Sequence, residues 1–120
     1  MERDRKNDKV QNIREEYDRL FREHYRSITF IAFNYLKDEA RAENVAQDVF
    51  MKLWEERDKL DFSKSLFPWL STVTRNQCLN ILKGDKVRLR YRNERYQKAI
   101  ELKEDLIRNS SDFILHHKEI

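Results

Sequence analysis

The sequence predicts an all-α protein, a compact bundle of about four helices followed by a C-terminal linker helix. Three observations carry this. The 120 residues include one glycine and one proline, too few for the primed turns of a multi-hairpin β protein. Glu, Lys, Arg, Leu and Gln, all good helix formers, recur throughout. Apolar residues return at steps of three and four, the period of a helix with one buried face. The length allows one domain and a short extension.

Residues 1–9 are polar, and 1–10 read as a flexible start. From about Gln11 to Lys37 the apolar positions Ile13, Tyr17, Leu20, Phe21, Ile28, Ile31, Ala32, Tyr35 and Leu36 describe one long helix, or two meeting near Tyr25–Ser27. Asp38 is a candidate N-cap for a second helix over about 39–59, with Glu39 at its positive end. That helix would bury Ala42, Val45, Ala46, Val49, Phe50, Leu53 and Trp54.

Asp61 to Ser65 reads as a loop. Ser65 is a candidate N-cap for a third helix, with Pro68 in the first turn, where its missing N–H costs little. This helix runs to about Lys83 and buries Leu66, Leu70, Val73, Cys78 and Ile81. Gly84-Asp85 predicts a break or a bend. A sparser pattern follows through Leu89, Tyr96, Ala99, Ile100, Leu106 and Ile107. Asn109–Asp112 reads as a linker, and residues 113–120 are too short to fold alone.

Charge is uneven along the chain, although the formal net charge is only +3. Arg75 to Lys98 holds eight basic residues against two acids, whereas Asp38 to Asp61 holds eight acids against four basic residues. One reading is a polyanion on one side and a cationic partner on the other. The plainer reading is that charged helices are simply soluble. The single cysteine, Cys78, excludes an internal disulfide and suits a reducing compartment. No segment reaches 18 consecutive apolar residues and the N-terminus lacks a signal-peptide core. A cytoplasmic protein without membrane insertion is the expectation.

Positions 69, 72, 76, 80 and 83 share one helical face by steps of three and four. They hold Trp69, Thr72, Asn76, Asn80 and Lys83, opposite the apolar stripe. Asparagine is a poor helix former, so its repetition there asks for a reason. A ring on which a base stacks, amides for base edges and cations for phosphates make a single-strand-binding surface. The alternative for Trp69 is a core anchor at the helix start, and the two readings are compatible on opposite faces of the ring. The second helix shows Gln47, Asp48, Met51, Lys52 and Glu55 on its polar side, either a docking surface for a basic helix or a solvated row.

Catalytic readings are thin. The histidines His24, His116 and His117 match no zinc spacing with the lone cysteine. Cys78 on an apolar stripe reads as a small core residue. There is no glycine-rich phosphate loop. The expectation is a protein that binds rather than catalyses, with no cofactor and no metal.

Tyr35 to Trp54, followed by Phe67-Pro-Trp-Leu-Ser-Thr-Val-Thr-Arg-Asn-Gln-Cys-Leu-Asn80, closely resembles region 2 of bacterial RNA polymerase sigma factors of the extracytoplasmic-function (ECF) group. The resemblance covers about Tyr17 to Lys86, which would make 11–86 the region 2 domain, 87–112 a basic, helical linker and 113–120 the start of a second domain or a tail. It implies that the helix bearing Val45, Gln47, Asp48 and Phe50 docks on the β′ clamp helices of core RNA polymerase. Gln47 and Asp48 would make contacts, with Met51, Lys52 and Glu55 as neighbours. The family commonly has an acid where this chain has Asn44.

The resemblance further implies recognition and melting of the minus-ten promoter element. Phe62, Ser63, Lys64, Ser65 and Leu66 would line a pocket for a flipped base of the single-stranded non-template strand. Trp69, Thr72, Arg75, Asn76 and Asn80, with Lys83, would contact upstream bases and backbone. An anti-sigma factor is the implied regulator. ECF factors carry a second, helix-turn-helix domain, and this chain stops where that domain would begin. Two alternatives remain: a helical protein of helix-turn-helix type that binds duplex DNA through the basic Arg88–Lys98 segment, and an interaction protein that occupies polymerase or an anti-sigma factor without recognising a promoter.

Overall fold

The computed structural model describes the backbone of residues 2–118 and the side chains of residues 11–110. Its elements are α1 (Glu2–Leu36), α2 (Glu39–Glu55), a 3-10 turn at Arg57–Lys59 and α3 (Phe67–Lys118), with no strand among the described residues. The all-α class is as predicted, but with three α-helices rather than about four. The chain divides into two compact units, Met1–Leu82 and Lys83–Ile120.

The periodic residues of α1 form one helix, without a break at Tyr25–Ser27. Thr29 Oγ1 donates to the Tyr25 carbonyl at 2.8 Å, a bond that a helix interior accommodates. The helix stops at Leu36 because Lys37 turns left-handed at φ 55° while its N–H still donates to the Phe33 carbonyl. Asp38 then caps α2 as expected, its Oδ1 accepting the Arg41 N–H at 3.0 Å.

In α2, Ala42, Val45, Ala46, Val49, Phe50 and Leu53 are buried, as their spacing predicted. Trp54 is a correction: it is half-buried and holds the Arg57 guanidinium 4.2 Å from its ring centroid. The helix also ends earlier than expected, at Glu55, and Arg57–Lys59 is a 3-10 turn. Arg57 Nη1 donates to the Trp54 carbonyl at 2.8 Å, satisfying one of the acceptors a helix end leaves unpaired.

Leu20, Ile28, Ala32 and Leu36 of α1, the α2 stripe, and Leu66, Leu70 and Cys78 form one core. Aromatic rings close its flank, with Phe21 edge-on to Phe50 at 5.0 Å and Tyr17 edge-on to Trp54 at 5.1 Å. The Tyr17 hydroxyl donates to the Phe50 carbonyl at 3.2 Å. Burial and the neighbouring Asp18 carboxylate raise its pKa, so it remains a donor at neutral pH.

Two further expectations are corrected in α3. Leu66, not Ser65, supplies the first carbonyl of the helix, accepting the Leu70 N–H at 2.9 Å. Pro68 lies in the first turn as predicted. Gly84 does not break the helix, which continues through Gly84, Asp85 and the expected linker at 109–112. Gly84 has no positive φ, and one glycine inside a helix costs only about 1 kcal/mol relative to alanine. Where a flexible start at 1–10 and a tail at 113–120 were expected, the backbone is helical from Glu2 and through Lys118, and the side chains of these segments lie outside the described ones.

Candidate nucleic-acid interface

The first unit presents two surfaces that the sequence singled out. One begins with the loop before α3. Asp61 Oδ1 accepts both the Ser63 N–H at 3.0 Å and the Ser63 hydroxyl at 2.6 Å, and the Lys64 N–H donates to the Asp61 carbonyl. A side chain folded onto the backbone two residues on fixes a short turn without glycine. The hydroxyl and the amide of Ser63 hold the Asp61 carboxyl below its ordinary pKa. This turn leaves Ser63, Lys64 and Ser65 exposed, with Phe62 half-buried against the core. Leu66, which the resemblance groups with them, is a core side chain, as the spacing of the helix predicted.

Along α3, Thr72, Arg75, Asn76 and Asn80 are exposed, while Leu70, Thr74 and Cys78 point into the core. Trp69 falls at the edge between the two faces, half-buried and packed on the core. The ring packs on the core at the helix start and keeps exposed area beside the amides. Lys83 is exposed but belongs to the second unit. The inner face is neutralised locally. Thr74 Oγ1 donates to the Leu70 carbonyl at 2.6 Å, and burial pushes the Cys78 thiol pKa up, which keeps it protonated and inert.

The second surface lies on α2. Gln47, Asp48, Met51, Lys52 and Glu55 are all exposed. Asp48 Oδ2 accepts from Gln77 Nε2 of α3 at 3.0 Å, a link between helices that the sequence did not disclose. Gln47 and Met51 line a groove of about 580 Å³ whose other wall is α1, including Arg14, Asp18 and Phe21. A second α1–α2 groove of about 480 Å³ holds Phe30 and Phe33 beside Glu39 and Glu43. Sequence reasoning missed Phe30, which is 65% exposed. It lies off the stripe Ile28, Ile31, Ala32, Tyr35, and that displacement was the available signal. No group of metal-ligating side chains occurs among the described residues, and none of their helices is long and apolar enough to cross a membrane.

The family model for sigma-70 region 2 matches residues 20–88, from the core side chain Leu20 to just beyond the amide row. The chain belongs to the sigma-70 region 2 family. The region 2 match thus takes in α2, the Asp61–Leu66 loop and the outward face of α3 within one contiguous block. The chain is also similar to a probable RNA polymerase sigma factor, RfaY, of Xanthomonas campestris pv. campestris, with 31% identity over 72 residues. That similarity covers 60% of this chain and 18% of the relative, so this region 2 chain spans less than a fifth of the relative's length. No solved structure matches it.

Proposed function

We propose that this chain is a promoter-recognition module of a sigma factor, of the ECF group, acting by binding in the cytoplasm. In this reading α2 docks on the β′ clamp helices of core RNA polymerase through Gln47 and Asp48, flanked by Met51, Lys52 and Glu55. The loop and α3 then take the non-template strand of the minus-ten element as it melts. Phe62, Ser63, Lys64 and Ser65 border the place of a flipped base, with Leu66 holding the end of the loop in the core. Trp69, Thr72, Arg75, Asn76 and Asn80 meet the upstream bases and backbone, and Lys83 adds a phosphate contact. Regulation by an anti-sigma factor belongs to the same reading.

The carrying observation is the exposed row Thr72, Arg75, Asn76 and Asn80 beside a half-buried Trp69. Extruding a base costs a few kcal/mol. Stacking on a ring returns about 1–3 kcal/mol per base, and phosphate contacts supply the remainder. Such a surface needs no nucleophile of its own. Capture by core RNA polymerase, followed by titration with a single-stranded minus-ten oligonucleotide and a scrambled control, tests the reading. Asn76→Ala, at an exposed position, should erase the preference for the minus-ten strand while capture persists, and Asp48→Lys should weaken capture. Equal affinity for both oligonucleotides in the unaltered chain would refute promoter recognition.

A further inference from the structure

The second unit, Lys83–Ile120, is helical through Lys118, and nearly every described side chain in it is exposed. Four of its apolar residues, Leu89, Tyr96, Ile100 and Ile107, are nonetheless in register, on a seam that also carries Asn93 and Lys103. Leu89, Asn93, Tyr96, Ile100, Lys103 and Ile107 follow one another by steps of four and three. That is the spacing of a coiled-coil seam, in which every such position faces a partner helix. Leu89, Tyr96 and Ile107 are 55%, 68% and 57% exposed, so the seam has no partner among the described residues of its own unit.

We infer that this seam pairs antiparallel with the same seam of a second copy of the chain. Charge and the two polar seam positions select both the occupant and the direction. Residues 86–98 carry six cations against Glu94 alone, whereas residues 99–110 carry Glu101, Glu104 and Asp105 against two cations. A parallel pair would align the cationic halves and set Lys103 against Lys103 and Asn93 against Asn93.

Antiparallel pairing places Leu89 against Ile107 of the second copy, Tyr96 against Ile100, and Asn93 against Lys103, whose ammonium the Asn93 carbonyl oxygen can accept. In the same register Arg90, flanking the seam, meets Glu104 of the second copy, and the two-fold axis makes that contact twice. Neither Arg90 nor Glu104 forms an ion pair within its own chain among the described residues. The seam is short, which makes the association weak and reversible.

Sedimentation equilibrium of the full chain, taken up to about 0.5 mM because small interfaces are weak, should show a monomer–dimer equilibrium. Glu104→Lys turns both flanking pairs repulsive and should raise the dissociation constant about tenfold, as should Arg90→Glu. The double reversal, R90E with E104K, should restore the original constant. Ile100→Asp should abolish dimers. All of these positions lie outside the core of the first unit, so its far-UV and tryptophan signals report that each variant is folded. A chain that stays monomeric overturns the inference. So does a dimer indifferent to Glu104→Lys, or a loss that the double reversal does not repair, since a parallel pair or a differently placed interface would behave in that way.

Discussion

The α2 stripe and the second unit carry apolar residues at the same three-and-four spacing, yet their fates are opposite. In α2 every apolar position from Ala42 to Leu53 except Met51 is buried, whereas Val87, Leu89, Tyr91, Tyr96, Leu102, Leu106 and Ile107 are all more than half exposed. The difference lies in neighbours. Aromatic and branched residues of α1 and α3 converge on α2, and dispersion and burial there add over many contacts. Periodicity makes a helix amphipathic; only a facing surface turns amphipathicity into stability.

The sharpest way to break this contrast is to remove one large side chain from each region. Phe50 is 1% exposed, and Phe50→Ala should destabilise the first unit by about 3–5 kcal/mol. Leu102→Ala, at a 62% exposed position away from the proposed seam, should change stability by no more than about 0.5 kcal/mol. Urea unfolding followed through Trp54 and Trp69 fluorescence measures the first. Helix content by far-UV circular dichroism measures the second. Equal losses would mean that something covers the second unit after all.

A smaller effect is expected at Gly84. A Cβ there would meet only the Arg88 side chain, at the ordinary contact distance of 3.8 Å. Gly84→Ala should therefore stabilise the local helix by about 0.5–1 kcal/mol, visible as slower amide exchange from Gly84 to Arg88. Slower exchange there with no change in urea midpoint would sharpen the separation of the two units. Faster exchange would show that the helix needs glycine at this point.

The smallest effect concerns pH. The folded Asp61 carboxyl is held below its ordinary pKa by Ser63, so the turn is favoured above the unfolded carboxylate pKa of about 4. That contribution is lost as pH falls through the lower, folded value. The Ser63 amide resonance should move over this acid range, and Asp61→Asn should remove the movement. Leu89, in the second unit, should show no matching shift. An unmoved Ser63 amide would mean that the hydrogen bonds to Asp61 do not persist in solution.

Much of the first unit was legible in the sequence because its signals were local and redundant. The Asp38 cap, the buried α2 stripe and the burial of Leu70 and Cys78 each follow from spacing plus one capping residue. The end of α2 was misread because Lys52 to Lys59 contains no glycine or proline. Arg57, bonded to the Trp54 carbonyl, marks the end there, and side-chain reach is not written in a propensity. Gly84 was misread in the opposite sense, since a single weak helix former does not overrule strong formers on both sides.

Of the candidate interface, the face of α3 and the α2 polar row could be drawn from residue numbers, because helical spacing alone fixes which side chains share a side. Composition likewise determined the helical class, since one glycine and one proline leave few ways to turn a strand. Tertiary packing alone decided the rest: that Thr74 lies in the core, that Trp54 stays half-buried, and that Gln77 reaches Asp48 across 29 positions of sequence. Local patterns state which residues lie on the same side of an element. Which sides find a neighbour depends on contacts between distant parts of the chain, and no single stretch of residues encodes those.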